Sequence, residues 1–177
     1  NWNDPDLPFY YVQLSSVDRP SWPWFRDSQR RLMDAMPHTG MAVSSDYGDS
    51  LDVHPKNKRP IGERLAHWAL NRTYGKKQVV PSGPLFRTVD FREDAAYVSF
   101  DYADGLHTAD GRPIREFEIA ETEGVYYPAK AEVVGNQVKV YSDRVKHPCH
   151  VRYAWRPFTR ANLVNSQSLP DSTFRSR

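Results

Sequence analysis

Hydrophobic and polar positions along the chain change rhythm near residue 77. Before it, apolar residues fall in short runs and helical stripes. Phe9-Tyr10-Tyr11-Val12-Gln13-Leu14 is an almost unbroken apolar run, the pattern of a buried parallel strand. Ser15-Ser16 and Asp18 mark a loop. Ser21 is placed to cap a helix that begins near Pro23, where a missing N–H costs nothing. Phe25, Leu32, Met33 and Met36 fit one face of that predicted helix, and Pro37 and Gly40 end it. Met41-Ala42-Val43 predicts a second short strand, followed by a loop over residues 44–55. Asn57 is a good cap for the next helix, in which Ile61, Leu65, Trp68 and Ala69 form an amphipathic stripe. Gly75 suits the residue after its last turn. The order strand, helix, strand, loop, helix is one end of an α/β sandwich.

From about Gln78 the helical period stops. Pro81-Ser82-Gly83-Pro84 reads as a linker-like turn, and short alternating runs follow. Residues 96–102 alternate, with Val98, Phe100 and Tyr102 opposite Tyr97, Ser99 and Asp101. Residues 116–120, 129–134, 137–141 and 148–155 predict further strands, and Gly135-Asn136 between two of them is a hairpin signal. Short strands at this spacing predict a small antiparallel β-sandwich. The expected division is therefore residues 1–76, an α/β part, and residues 77–177, a β-sandwich packed against it. No internal repeat or low-complexity tract is visible.

Composition narrows the function classes. The chain has 177 residues, enough for one large domain or two small ones with a real core. Hydrophobic residues make up 39% and aromatics 13%, which argues against disorder, while 14 prolines imply many loops. The net charge of +2 comes from scattered basic residues, unlike the clustered footprint of a nucleic-acid binder. No apolar run is long enough for a membrane-spanning helix, and no signal segment is visible. The start at Asn1 suggests a processed form or an excised piece. Cys149 has no second cysteine to pair with. Asn71-Arg72-Thr73 matches a glycosylation triplet, a pattern common by chance.

The richest chemistry lies in Asp52-Val53-His54-Pro55. A histidine just past a strand end, with a carboxylate two residues before it, can serve as a base held in one tautomer. Ligand crevices in open α/β sheets lie outside the carboxyl ends of the strands, where this loop falls. No Gly-x-Ser-x-Gly or Gly-Gln-Ser block occurs in the chain, and its one Gly-Asp-Ser triplet, Gly48-Asp49-Ser50, lies in the same loop as His54; the chain reads as the histidine-bearing end of a serine esterase without its nucleophile end. Asp46, Asp49 and Asp52 could instead form a solvated turn or a metal loop, although the order a calcium loop wants is absent. His147-Pro148-Cys149-His150 lacks zinc-site spacing; a packed strand with Cys149 as a small core residue is expected. Trp22, Trp24, Trp68 and Trp155 suit either sugar stacking or core anchoring.

Longer stretches carry a family resemblance. Phe9 to Leu14, Met41-Ala42-Val43, Gly48-Asp49-x-x-Asp52-Val53-His54-Pro55-Lys56-Asn57-Lys58 and Gly62-x-Arg64-Leu65-Ala66 together resemble sialate O-acetylesterases. So do Phe117-Glu118-Ile119-Ala120, Tyr127-Pro128-Ala129-Lys130-Ala131, Val151-Arg152-Tyr153-Ala154-Trp155 and Leu169-Pro170-x-x-x-Phe174-Arg175. The resemblance runs in order over nearly the whole chain and is to that family's C-terminal half. It implies the C-terminal part of an SGNH-like three-layer α/β/α sandwich followed by a β-sandwich. It implies hydrolysis of O-acetyl esters of sialic acid, with His54 as general base and no cofactor. The usual acid of SGNH hydrolases lies three residues before the histidine, where this chain has Leu51; Asp52 is the choice and Asp49 lies five before. The nucleophilic serine and the oxyanion hole are expected on an upstream N-terminal segment, which would be the chain's partner. An acetylxylan-type esterase and a non-catalytic carbohydrate-binding module are the competing readings. The expected setting is secreted or periplasmic.

Overall fold

The computed structural model describes residues 3–176. It is a mixed α/β structure, mostly antiparallel sheet with few helices. Strands β1 (Phe9–Val12) and β2 (Thr39–Ala42) pair in parallel, from Phe9 opposite Thr39 to Val12 opposite Ala42. Helix α1 (Trp22–Ala35) makes the crossover between them, and helix α2 (Arg59–Trp68) follows the loop after β2, ending in a π turn over Ala69–Thr73. Met41, Val43, Trp68 and Leu85 form the core of this part, with Tyr10, Tyr11, Met33 and Tyr102 packed around it. Gly40 is required by that packing, because a Cβ there would lie 2.5 Å from the Trp68 ring. The Trp68 indole N–H donates to the Met41 carbonyl at 2.9 Å.

Two four-stranded antiparallel sheets make the rest. One has the order β3 (Leu85–Arg92), β4 (Ala95–Asp101), β9 (Gln137–Tyr141), β8 (Lys130–Val134). The other has the order β12 (Phe174–Arg175), β10 (His150–Tyr153), β6 (Phe117–Ala120), β7 (Tyr127–Pro128). A short pair, β5 (His107–Thr108) with β11 (Leu163–Val164), lies beside them. Val98, Val138 and Val140 from one sheet meet Phe117, Ile119 and Val151 from the other in a single core. Phe174 is fully buried, with Phe86, Phe100, Phe117 and Tyr153 within ring-packing distance. Burying each such side chain contributes about 1.5–3 kcal/mol. Val134 opposes Gln137 across the expected two-residue turn, with Gly135 at φ 61°.

Several expectations are corrected. The run from Phe9 is a parallel strand but not a buried one: Phe9 is 59% exposed, because β1 has β2 alone as a sheet neighbour. Helix α1 buries its apolar stripe only in part: Met33 packs on the core and Leu32 is half-buried. Phe25 is 54% and Met36 48% exposed, while Pro23, Arg26, Asp27 and Arg30 are buried. The reason is what the helix packs on, a stretch of bare carbonyls at residues 154–157. Arg26 donates from Nη1 to Pro157 O at 2.9 Å, from Nη2 to Ala154 O at 3.2 Å and to Arg156 O, and from Nε to Thr173 Oγ1 at 2.9 Å. Asn57 does not cap α2, which starts after Lys58 without a side-chain cap. Strand β3 escaped the alternating pattern because a register shift between Phe86 and Thr88 breaks its period. Cys149 is exposed, not a core residue, because β10 begins one residue later. Asn71 is buried and its amide donates to Val79 O at 2.7 Å, so the triplet is not presented for glycosylation.

Two groups at the junction make testable demands. Burial lowers the Arg26 pKa to about 10, with Glu116 opposing the shift, so the side chain stays charged near neutrality. Arg26→Met should destabilise by about 3 kcal/mol or more, because it strands buried carbonyls without donors; urea unfolding measures it, and a loss under 1 kcal/mol would refute the role. Asp171 is buried, and among the described residues neither carboxyl oxygen has a hydrogen-bond partner. Burial pushes its pKa well above the ordinary carboxylate value, with the Ser172 backbone and Arg30 opposing. A raised acid favours the fold fully below the unfolded pKa and loses that contribution as pH rises through the folded value. Melting temperature should therefore decline from mildly acid toward alkaline pH more steeply than in Asp171→Asn; parallel curves would contradict this.

Candidate functional site

The carboxyl ends of β1 and β2 carry the loop that bears Asp52 and His54. Ser44, just past β2, donates from Oγ to Gln13 O at 2.7 Å and ties the two strand ends together. A 3-10 turn over Ser45–Tyr47 follows. Its Asp46 receives a two-pronged ion pair from Arg64 of α2, at 2.7 and 2.6 Å, and Arg64 also donates to Val43 O at 2.7 Å. This clamps the start of the loop to the helix. Gly48 then passes so close to Ser16 that a Cβ would lie 2.4 Å from its carbonyl oxygen. Farther along, Asp18 N–H donates to Ser50 O at 3.0 Å and Ser15 Oγ to Val53 O at 3.2 Å.

The two residues singled out in the sequence are brought together. Asp52 Oδ1 accepts from the His54 backbone N–H and from the His54 ring Nδ1, both at 2.9 Å. With Nδ1 donating, the neutral ring presents its lone pair at Nε2, the tautomer a general base needs. The His54 side chain is 79% exposed and that of Asp52 51%. The backbone N–H of His54 is the largest cause holding the Asp52 pKa below its ordinary value, followed by the ring hydrogen bond. Asp49 is occupied elsewhere, accepting from Leu51 N–H at 2.9 Å in a local turn. Asp46 serves Arg64. Neither competes as the partner of His54.

The other sequence candidates separate from this loop. His38 Nε2 lies 3.3 Å from Asp6, His67 pairs with Val80 O and His107 with Gly105 O. Among the described residues no group of three His, Cys, Asp or Glu is arranged to hold a metal ion, so His147, Cys149 and His150 do not form one. Trp68 and Trp155 are buried anchors, and Trp24 packs edge-on against Trp155. Sequence reasoning missed the bracing role of three residues: Arg64, Trp22, whose indole N–H donates to Ser15 O at 2.8 Å, and Thr159, whose N–H reaches Ser16 Oγ at 3.3 Å. No local pattern marks them, since their partners lie 7 to 143 positions away.

Comparison with known proteins bears on what this loop belongs to. The chain aligns over 97% of its length with the crystal structure of a carbohydrate acetylesterase from Xanthomonas citri, at 37% identity and a TM-score of 0.90. The likeness is to acetylesterases. The sialate O-acetylesterase of Rattus norvegicus is 25% identical over 167 residues, which is 84% of this chain. This chain spans 31% of the rat protein and 41% of the Xanthomonas chain. No family model matches it. The fold thus matches that of part of a carbohydrate acetylesterase, and the sequence relationship is to an acetylesterase-like family rather than to one named member of it.

The electrostatics of the pair predict an acid titration. A depressed carboxylate pKa means the Asp52–His54 contact is present above the ordinary aspartate value and lost as pH falls through the lower, folded one. The Asp52 carboxyl carbon and the His54 amide should shift together in an NMR titration, with a midpoint below that of a free aspartate. Separate midpoints, or one at the ordinary value, would break the assignment.

Proposed function

We propose that this chain is the histidine-bearing part of a serine esterase that removes O-acetyl groups from sialic acids. The observation that carries the reading is the Asp52–His54 contact at 2.9 Å, placed at the carboxyl ends of parallel strands with ring Nε2 outward. A serine hydroxyl brought to Nε2 would lose its proton to His54 as it attacks the acetyl carbonyl. The acetyl-enzyme forms and the sugar hydroxyl leaves with that proton. His54 then deprotonates a water, whose attack releases acetate and restores the serine. Asp52 holds the ring and balances the imidazolium charge in both steps.

The serine and the oxyanion-hole donors are assigned to a preceding N-terminal segment. Supporting this, among the described residues β1 has one sheet neighbour, Phe9 and Val12 on it are exposed, and so are Phe25 and Met36 of α1 and its C-terminal end. In this reading the β1–β2 pair is the end of the SGNH-like three-layer sheet, and the preceding strands and helices cover those side chains. A second reading, an esterase of another acetylated glycan, is favoured by the higher identity to the carbohydrate acetylesterase, 37% against 25%.

Acetate release from 9-O-acetylated sialic acid and from acetylated xylan tests both. Activity is expected from this chain combined with the preceding segment, and His54→Ala should lower kcat by about 10³-fold or more. Preference for the xylan would move the assignment to the second reading. No hydrolysis by a folded combination would overturn the enzyme reading in favour of a carbohydrate-binding module, and full activity in His54→Ala would overturn the assignment of His54 as the base.

A further inference from the structure

A large concavity lies away from His54. A groove of about 620 Å³ runs along the seam between α1, the π turn after α2, and strands β3 and β4. A second hollow of about 480 Å³ adjoins it, sharing Arg30, Asp34, Phe86 and Asp101 as a common wall. Pro8 and Thr39 line the groove, so it opens at the amino ends of β1 and β2. The His54 loop leaves their carboxyl ends, on the order of 10 Å of strand away. The groove is therefore a separate site.

Its walls combine aromatic faces with hydrogen-bonding groups. Tyr10, Trp68, Phe86 and Tyr102 line it. Tyr10 OH pairs with Thr73 Oγ1 at 2.7 Å, and Tyr102 OH accepts from Arg72 at 2.7 Å. The Arg72 guanidinium also lies 6.0 Å from the centre of the Trp68 ring. Such a volume and mixture suits a small polar ring compound, whose C–H faces pack on aromatics while its hydroxyls pair with the rim.

The charges are unbalanced. Three carboxylates line the two hollows, Asp6, Asp34 and Asp101, and each already faces a basic side chain: His38 at 3.3 Å, Arg30 at 3.6 Å and Arg87 at 3.7 Å. Against them stand Arg30, Arg31, Arg72, Lys77, Arg87 and Arg175, of which Arg30, Arg31 and Arg175 are also held by the buried Asp27 and Arg175 by Glu123. Among the described residues Arg72 and Lys77 have no carboxylate partner; Lys77 donates only to the Asn71 carbonyl, at 3.2 Å. Arg87 is 70% exposed, and its aspartate is beyond ordinary hydrogen-bond distance. Arg72 and Arg87 thus retain guanidinium forks able to take a carboxylate in two-pronged fashion.

We propose that this seam groove is a non-catalytic binding site for an acidic saccharide, a pyranose carrying a carboxylate. Arg72 in the groove and Arg87 in the adjoining hollow attract the carboxylate, and the aromatic walls of the groove hold the ring. The site stands on its own geometry and does not depend on the esterase reading.

The test uses the full-length protein and two probes that share a ring, methyl glucuronoside and methyl glucoside, with binding followed by NMR titration. The acid should bind at least about tenfold more tightly, and added salt should erase most of that preference. An Arg72→Gln, Arg87→Gln double variant should lose the preference. Tyr102→Phe, which keeps both charges, should weaken binding of the acid about threefold by removing the acceptor that orients Arg72, within the range of one hydrogen bond. His54→Ala should bind as the unaltered protein does, and the double variant should hydrolyse 4-nitrophenyl acetate at the unaltered rate, which separates this site from the reaction. Equal binding of the two probes, no binding, or an undiminished preference in the folded double variant would overturn the proposal.

Discussion

One buried guanidinium governs how the two parts of this chain meet. Arg26 sits fully enclosed between α1 and the segment 154–157, and its donors satisfy three backbone carbonyls and a threonine hydroxyl. Those carbonyls belong to a stretch where Ala154 takes a left-handed backbone conformation, φ 52°, so they lie outside any sheet ladder. Buried carbonyls must be paired, and a neutral side chain supplies too few donors for them. The fold meets the need with a charged group drawn from a helix. The side chain is fixed by its ligands, so the helix face is fixed with it. Gln13 extends the junction by donating to the Arg26 carbonyl and to Ser172 Oγ, which joins β1 to the C-terminal segment.

The Asp52–His54 pair depends on that junction only indirectly. The contact itself spans two residues and closes within one turn. What the tertiary structure adds is its place. The Arg64–Asp46 clamp, the close pass of Gly48 over Ser16 and the Ser15–Val53 hydrogen bond set the loop against the ends of β1 and β2. Thr159 from the sandwich braces Ser16 in turn. A base with a fixed tautomer is useful only if its outer nitrogen meets a reacting group within hydrogen-bond reach, so these supports matter as much as the pair itself.

The distribution of apolar surface is uneven. The sandwich buries Phe100, Phe117, Tyr153 and Phe174 in one contiguous core, whereas the α/β part leaves Phe9, Trp24, Phe25 and Met36 outside. Helix α1 is amphipathic in the usual sense, but its polar face meets the sandwich, and of its apolar stripe Phe25 and Met36 stand open while Met33 packs on the α/β core. A chain that covers 41% of a structurally matched protein has room for such a face to be covered by the remainder.

Sequence by itself determined the local elements. The turn at Gly135, the alternation in β4, β8 and β9, the parallel character of β1 and β2, and the two helices all follow from periods of two or 3.6 and from turn residues, which act over a few positions. The Asp-x-His contact was legible for the same reason, being an interaction between residues two apart. Tertiary structure decided the rest. Periodicity says that α1 has two unlike faces, but which face is buried depended on carbonyls some 130 residues away. The bulge that hid β3, the exposure of Cys149, the clamp from Arg64 and the charged seam groove were settled likewise by partners distant in sequence. A pattern along the chain records what a residue prefers, while burial and pairing depend on what the fold places beside it.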